Sequence, residues 1–312
     1  MKKPGTKKLN IPHLLFVVML SLWGLIILYP FYNAVLISLV PQAVYTRTPF
    51  LIWPREITFE SYQYVFGWKL IRWGIFTTVI ITVVGTVYSM ILTVITAYPL
   101  TKNIPGRKFF SLMIVFTMYF GGGLVPYYLH INNTLGLRNT RWAMILPLGI
   151  SVFNMLVMQS YFRTLPAEIE ESAKIDGAND IIILFRIVLP LSLPMLATIT
   201  LFYAVGKWNE WWHGMLFIRK LERFPLQYHI RQMLMSVEAV KGAIPYEDQI
   251  QPFPMGIQMA AIIVTMFPIV CLYPSLQKYF VKGLTLDGYC PGKILRICQL
   301  GKGRTAAALP RS

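Results

Sequence analysis

The 312-residue chain is short of charge, and short of acid above all. Charged residues make up 13% of it, and 13 Asp and Glu face 29 Lys and Arg. A soluble domain carries about 25% charged residues. Half that supply cannot cover a water-facing surface, so a soluble enzyme and a disordered chain are excluded. Cysteine is nearly missing too. Cys271, Cys290 and Cys298 are an odd set with no C-x-x-C spacing, which excludes a disulfide-stapled scaffold and a thiolate metal site. Cys271 lies in an apolar run and reads as a packed small hydrophobe. There is no G-x-x-x-x-G-K-[ST] phosphate loop, and the four histidines make no H-E-x-x-H or other ligand spacing. Neither a catalytic constellation nor a bound cofactor or metal is expected of this chain.

Hydrophobic residues are what is abundant: 55% of the chain, with a mean hydropathy of +0.55. Six stretches free of Asp, Glu, Lys and Arg are long enough to cross a bilayer, which takes roughly 20 residues. They are 9–46, 73–101, 109–137, 142–162, 187–206 and 249–277. These predict an all-α integral membrane protein with six transmembrane helices. The first run exceeds a signal-peptide core and reads as an uncleaved anchor. Placing the N-terminus inside puts Lys2, Lys3, Lys7, Lys8, Lys102, Arg107, Lys108, Arg163, Lys174 and Arg186 on the cytoplasmic side, with the basic C-terminus. The two outer loops, about 37–72 and 213–248, are long and weigh little in that rule. Both termini are therefore expected in the cytoplasm. The net charge of +16 follows from this bias and does not call for nucleic acid as a partner.

Several runs contain proline: Pro30, Pro126, Pro147, Pro190, Pro194, Pro268 and Pro274. Each frees a backbone carbonyl and bends or ends a helix. Gly121-Gly122-Gly123 before Pro126 should break the third span, either as a joint on a pathway or to let helices pack closely.

The segment between the fourth and fifth runs is amphipathic in two pieces. Over 166–176, acids alternate with Ile169, Ala173 and Ile175 at helical spacing. Gly177 then ends the helix with the backbone freedom a positive φ needs. Asn179 or Asp180 is placed to cap a second short helix through Ile181, Ile182, Leu184 and Phe185, ending near Pro190. A helix–glycine–helix under the membrane needs a partner for its apolar residues. Lipid is a poor one, since anionic headgroups repel Glu168, Glu170, Glu171 and Asp176.

Glu171-Ser172-Ala173, then Gly177, then Ile187-Val188-Leu189-Pro190 resembles the EAA loop of ABC-importer permeases: E-A-A, three residues, G, nine residues, I-x-L-P. Ser172 in place of the first alanine is the one departure. The surrounding AKIDGA and LPLSLP, Trp208-Asn209, and Tyr279-Phe280-Val281-Lys282-Gly283 are similar to the maltose-type carbohydrate-uptake class. The likeness covers about residues 10–283. It implies a cytoplasmic N-terminus over 1–12, a six-span permease domain over 13–283 with its coupling loop at 166–190, and a departure from the family at 284–312, a basic tail that reads as unstructured. It implies transport of a sugar or oligosaccharide delivered by an extracytoplasmic binding protein. It also implies a second permease, most often a different chain, and two ATPase subunits that hold the ATP and magnesium. Glu171 takes the family's EAA glutamate and Gly177 its hinge glycine. Glu170, Ser172, Ala173, Ile175, Asp176 and Ala178 complete the ATPase-coupling set. Asp176 fits a helix-end cap as well.

The substrate path is less sharply drawn. Tyr119 and Tyr127 flank the glycine triplet. Tyr203, Lys207, Trp208 and Asn209 close the fifth run, and Glu210, Trp211, Trp212 and His213 follow. Aromatic faces with polar partners suit a sugar; an interfacial aromatic belt with a snorkelling lysine is the alternative. Two rivals to the importer are an ion-coupled secondary transporter, which would call for ionisable groups within the spans, and an integral membrane enzyme, for which 207–213 would be the candidate cluster.

Overall fold

The computed structural model describes residues 11–48, 52–54, 56–243 and 253–284. Among them every regular element is a helix. Three helices are long and apolar enough to cross a membrane unbroken: Leu14–Ser38, Lys69–Thr101 and Pro254–Cys271. Two further candidates are bent pairs. Arg107–Tyr119 meets Leu124–Thr134 at 107°, and Asp180–Leu191 meets Leu193–Trp208 at 84°.

The first bend falls at the glycine triplet, where Gly123 enters the next helix at φ +87°. The second falls at Ser192, between Pro190 and Pro194. Each proline lacks the N–H that would bond four residues back, so the ladder fails twice within one turn. Pro126 and Pro194 lie in the first turn of a helix, where a missing donor costs little, while Pro190 falls at the end of Asp180–Leu191.

The fourth apolar run departs from the expected continuous helix. Residues 141–144 form one tight turn and 145–151 follow an irregular path. Only Val152–Thr164 is α-helical. The run is apolar enough to span, but Pro147 and Gly149 interrupt it.

The chain divides into two compact units. One gathers the described residues up to Val79 with Arg138–Arg141 and Glu210–Ile269. Within it, Leu36 and Val40 pack with Val44, Tyr45 and Phe253. The segment 217–229 is fastened by backbone chemistry. Asn139, at φ +57°, accepts from the Arg219 and Lys220 amides through its side-chain oxygen, at 3.2 and 3.1 Å. Its own N–H donates to the Phe217 carbonyl at 2.9 Å. The Leu226 amide donates to Thr78 Oγ1 at 2.8 Å. The helix Leu226–Ala243 follows.

The other unit comprises Ile80–Leu137, Trp142–Asn209 and the described residues from Val270. Its core joins Val94, Ala97, Tyr98 and Leu100 to Met155, Met158 and Phe162, and to Ile183, Leu184, Val188, Ile199 and Tyr203. Cys271 is exposed and unpaired, not packed as expected. Cys290, Cys298, the 1–10 end and the tail from 285 lie outside the described residues.

Candidate coupling loop and pore-wall braces

The loop expected at 166–190 folds as two helices about a glycine. Ala167–Ile175 is the first. Gly177 stands at φ +82°, its amide bonding Lys174 O and the Ala178 amide bonding Ala173 O, both at 3.0 Å. These are the two bonds of a Schellman stop. Asn179 caps the next helix, its Oδ1 accepting from the Ile182 amide at 2.8 Å. Of the two cap candidates, Asn179 is the one used. The Lys174 ammonium lies 3.0 Å from the Asp180 carboxylate across the turn, exposed on both sides.

Two faces of this loop differ. The inner face is fixed to the second unit's core: Ala173 and Ala178 pack against the cluster that holds Tyr98, Phe162 and Ile183. Glu170 pairs with Lys102, whose ammonium also lies 4.5 Å from the Tyr98 ring centre. Burial lowers the Lys102 pKa from its ordinary value, Lys174 adds to that, and Asp180 opposes it. The outer face is bare. Ile175 is 87% exposed, Ile181 67% and Phe185 62%. Glu171, Ser172 and Asp176 are exposed beside them, with Ser172 Oγ donating to its own helix at Glu168 O, 2.7 Å. The coupling set thus separates. Glu170, Ala173 and Ala178 face inward, Gly177 makes the turn, and Glu171, Ser172, Ile175 and Asp176 face outward.

The residues proposed for the substrate path are dispersed. Tyr119 is 75% exposed at the end of its helix, and Tyr127 is half-buried beyond the break. Tyr203 is buried; its hydroxyl accepts from the Ser151 amide at 3.0 Å and bonds Thr93 Oγ1 at 2.7 Å. Lys207, one turn on, is 4% exposed. Its ammonium donates to Leu148 O at 2.8 Å and Ile145 O at 3.5 Å. It does not snorkel. Trp208 is buried, and Asn209 turns its amide back on Val205 O at 3.0 Å. Glu210 and His213 pair at 3.1 Å but belong to the other compact unit.

Tyr203 and Lys207 therefore share a task that their sequence positions did not reveal. The irregular 145–151 stretch frees carbonyls and amides that a helix would have satisfied, and buried groups of this kind need partners. Ser89 Oγ, Lys207 and Tyr203 supply those partners, Ser89 reaching Leu148 O at 3.3 Å. Gln159 does the same for the turn after the second span, donating to Leu100 O at 2.9 Å. Ser89, Gln159 and Lys102 carried no sequence signal, since each acts on a group some 60 residues away.

Among the described residues no cluster of His, Cys, Asp and Glu is arranged to hold a metal. Residues 109–286 match the family of binding-protein-dependent transport system inner membrane components. The chain is 39% identical to Protein LplC of Bacillus subtilis over 84% of its own length and 89% of that protein. It is 37% identical to the polygalacturonan/rhamnogalacturonan transport system permease protein YtcP of the same organism, over 86% and 94%. Among solved structures it superposes with a TM-score of 0.79 on a chain of a bacterial ABC transporter involved in the import of the acidic polysaccharide alginate. Identity there is 32%, covering 89% of this chain and 100% of that one. The chain belongs to the binding-protein-dependent inner-membrane transport family. It is a membrane permease component of an ABC importer and not an enzyme.

Proposed function

We propose that the chain forms half of the translocation pore of a saccharide importer, with six spans and both termini in the cytoplasm. Residues 13–283 make the permease body, with 1–12 and 284–312 as cytoplasmic ends. The fourth span is the irregular 142–151 stretch continued by Val152–Thr164, and the two bent pairs are the third and fifth. A second permease, most naturally a different chain, completes the pore in the bilayer. Two ATPase subunits hold ATP and magnesium, and an extracytoplasmic protein delivers the sugar. Two of the three relatives above are described for transport of saccharide polymers, which supports that substrate class.

One observation carries the mechanism: the loop is rigid on its inner face and unpartnered on its apolar outer face. Ile175, Ile181 and Phe185 are large apolar side chains open to water, on a segment braced by Glu170–Lys102 and by Ala173 and Ala178. In this reading the ATPase covers those three, Glu171 meets a basic group on it, and Ser172 and Asp176 line the rim. Movement of the docked ATPase then carries the loop and the helices behind it as one body. Tyr119 and Tyr127 flank the break in the third span and serve the sugar path. Tyr203 and Lys207 hold the wall of that path, with Trp208 and Asn209 beside them.

The test is uptake of labelled oligosaccharides by the assembled importer, native against Glu171→Ala and Gly177→Pro. Proline cannot adopt φ +82°, so the second variant breaks the turn. The expected result is a loss of about tenfold or more in uptake, on the order of one interfacial charge-assisted bond, with membrane level and subunit assembly retained. Normal uptake by both variants would remove the coupling role from this loop.

A further inference from the structure

The outer end of the Lys69–Ala97 helix carries a feature that coupling does not use. Lys69, Arg72, Trp73 and Phe76 stand at i, i+3, i+4 and i+7, one face of that helix. All four are exposed and line a cavity of about 410 Å3, within the ~300–1,000 Å3 range of ligand pockets. The face is graded, with two cations in the first turn and two rings in the next. Trp73 and Phe76 meet edge to face, centres 6.4 Å apart at 79°, and both rings remain partly exposed. A third cation comes from 64 residues along the chain. The Arg141 guanidinium lies 5.5 Å from the Phe76 ring centre, and its Nε donates to Thr77 Oγ1 at 3.3 Å. Among the described residues no carboxylate forms an ion pair with Lys69, Arg72 or Arg141.

The donor inventory narrows what fits. Lysine, arginine and tryptophan side chains donate hydrogen bonds and accept none, and phenylalanine does neither. A neutral sugar presents hydroxyls that need acceptors as well as donors; among the described residues this lining has no side-chain acceptor. A carboxylate is acceptor only, and the guanidinium fork matches it. The C–H face of a pyranose suits an indole or phenyl face. Interfacial anchoring accounts for a tryptophan and a lysine at a helix end. It does not account for Arg141, held over the Phe76 ring from a separate segment. We propose that this face receives an acidic saccharide, a uronic-acid oligosaccharide, with its carboxylate on Arg72 and Lys69 and its sugar ring on Trp73. The proposal rests on the importer reading above and names its substrate class.

The experiment uses the complete importer with its ATPases and binding protein in proteoliposomes. The probes are trigalacturonate and its fully methyl-esterified form, the same backbone without the charge. Native importer should take up the acid with a KM about tenfold or more below that of the ester, as expected for one or two charge-assisted bonds. Lys69→Gln with Arg72→Gln should raise the KM for the acid by about tenfold and leave the ester unchanged. Comparing variant with native cancels the binding protein's own selectivity. Raising salt from about 50 to about 500 mM should shrink the native preference, because the groups are exposed. Trp73→Ala should weaken both probes.

Equal handling of acid and ester by native importer would overturn the proposal, as would a KM for the acid that the double variant leaves unchanged. Repeating the series with and without anionic lipid separates the two sources of an anion. A defect that affects both probes and vanishes in zwitterionic vesicles would make these cations headgroup anchors and end the proposal. If native importer moves maltotriose but neither galacturonate, the acidic class alone fails. If it moves no saccharide at all, the importer reading fails with it.

Discussion

Lys207 places an ammonium where the sequence suggested either a sugar contact or a lysine reaching for water. It is buried, and its partners are the carbonyls of Leu148 and Ile145. Tyr203 serves the same stretch by accepting from the Ser151 amide while bonding Thr93. Removing either should be felt as an unsatisfied buried group. Lys207→Met keeps the volume and strips the donor; Tyr203→Phe leaves the Ser151 N–H without its acceptor. Each should cost about 1–3 kcal/mol, seen as a fall of a few degrees in the apparent melting temperature of the purified protein in detergent. A melting temperature unchanged in both variants would mean that water or a rearranged backbone serves these groups instead. If Lys207 were a sugar contact alone, Lys207→Met would change transport and leave the melting point in place.

At the scale of elements, the 166–190 loop was the most legible part of the chain and the fourth span the least. The loop's devices are local. A glycine at the stop and an asparagine two residues later each act within four residues of themselves, so their spacing alone announces helix, turn and helix. Asn179→Ala removes the cap and should destabilise the 180–183 turn by about 1 kcal/mol. Hydrogen exchange at the Ile182 amide should quicken roughly fivefold, the equilibrium equivalent of that loss, while Met155 and Met158 amides are unchanged; an equal rate at Ile182 would contradict the cap. The 142–162 run is free of charge and apolar enough to span, and only Pro147 and Gly149 hinted at a break. Its backbone leaves the helix at 145–151, and Ser89, Tyr203 and Lys207 supply partners for the groups this frees. Those partners lie 52 to 62 residues away, beyond any local pattern. The break in the third span was legible through its three glycines. The inward role of Glu170 was not, because nothing in its neighbourhood announces Lys102.

Over the whole molecule, the unit that holds 217–229 has, among the described residues, a buried titratable group the transport reading does not use. His229 is buried among Phe224 and Tyr228 and close against Gly74. Among the described residues its Nε2 has no hydrogen-bond partner. Burial lowers its pKa from the ordinary 6.5, and a hydrogen bond to the Leu221 backbone works against that shift. The unfolded chain therefore binds this proton more readily than the folded one. The stability His229 contributes is fully present above about pH 6.5 and is lost as pH falls from there through the lowered folded-state pKa. Native protein should melt progressively lower between pH 7 and pH 5 (both on the order of the histidine range), and His229→Gln should flatten that slope. An identical slope in the variant would assign the acid sensitivity elsewhere.

The irregular 145–151 stretch also has a consequence for how the polypeptide enters the bilayer. During synthesis this stretch emerges well before Tyr203 and Lys207. Until they are made, the Ile145 carbonyl lacks its Lys207 donor and the Ser151 amide its Tyr203 acceptor, and an unmet group in hydrocarbon costs several kcal/mol. In the proposed six-span arrangement the fourth span is therefore expected to enter lipid together with the fifth, as a hairpin, and not alone.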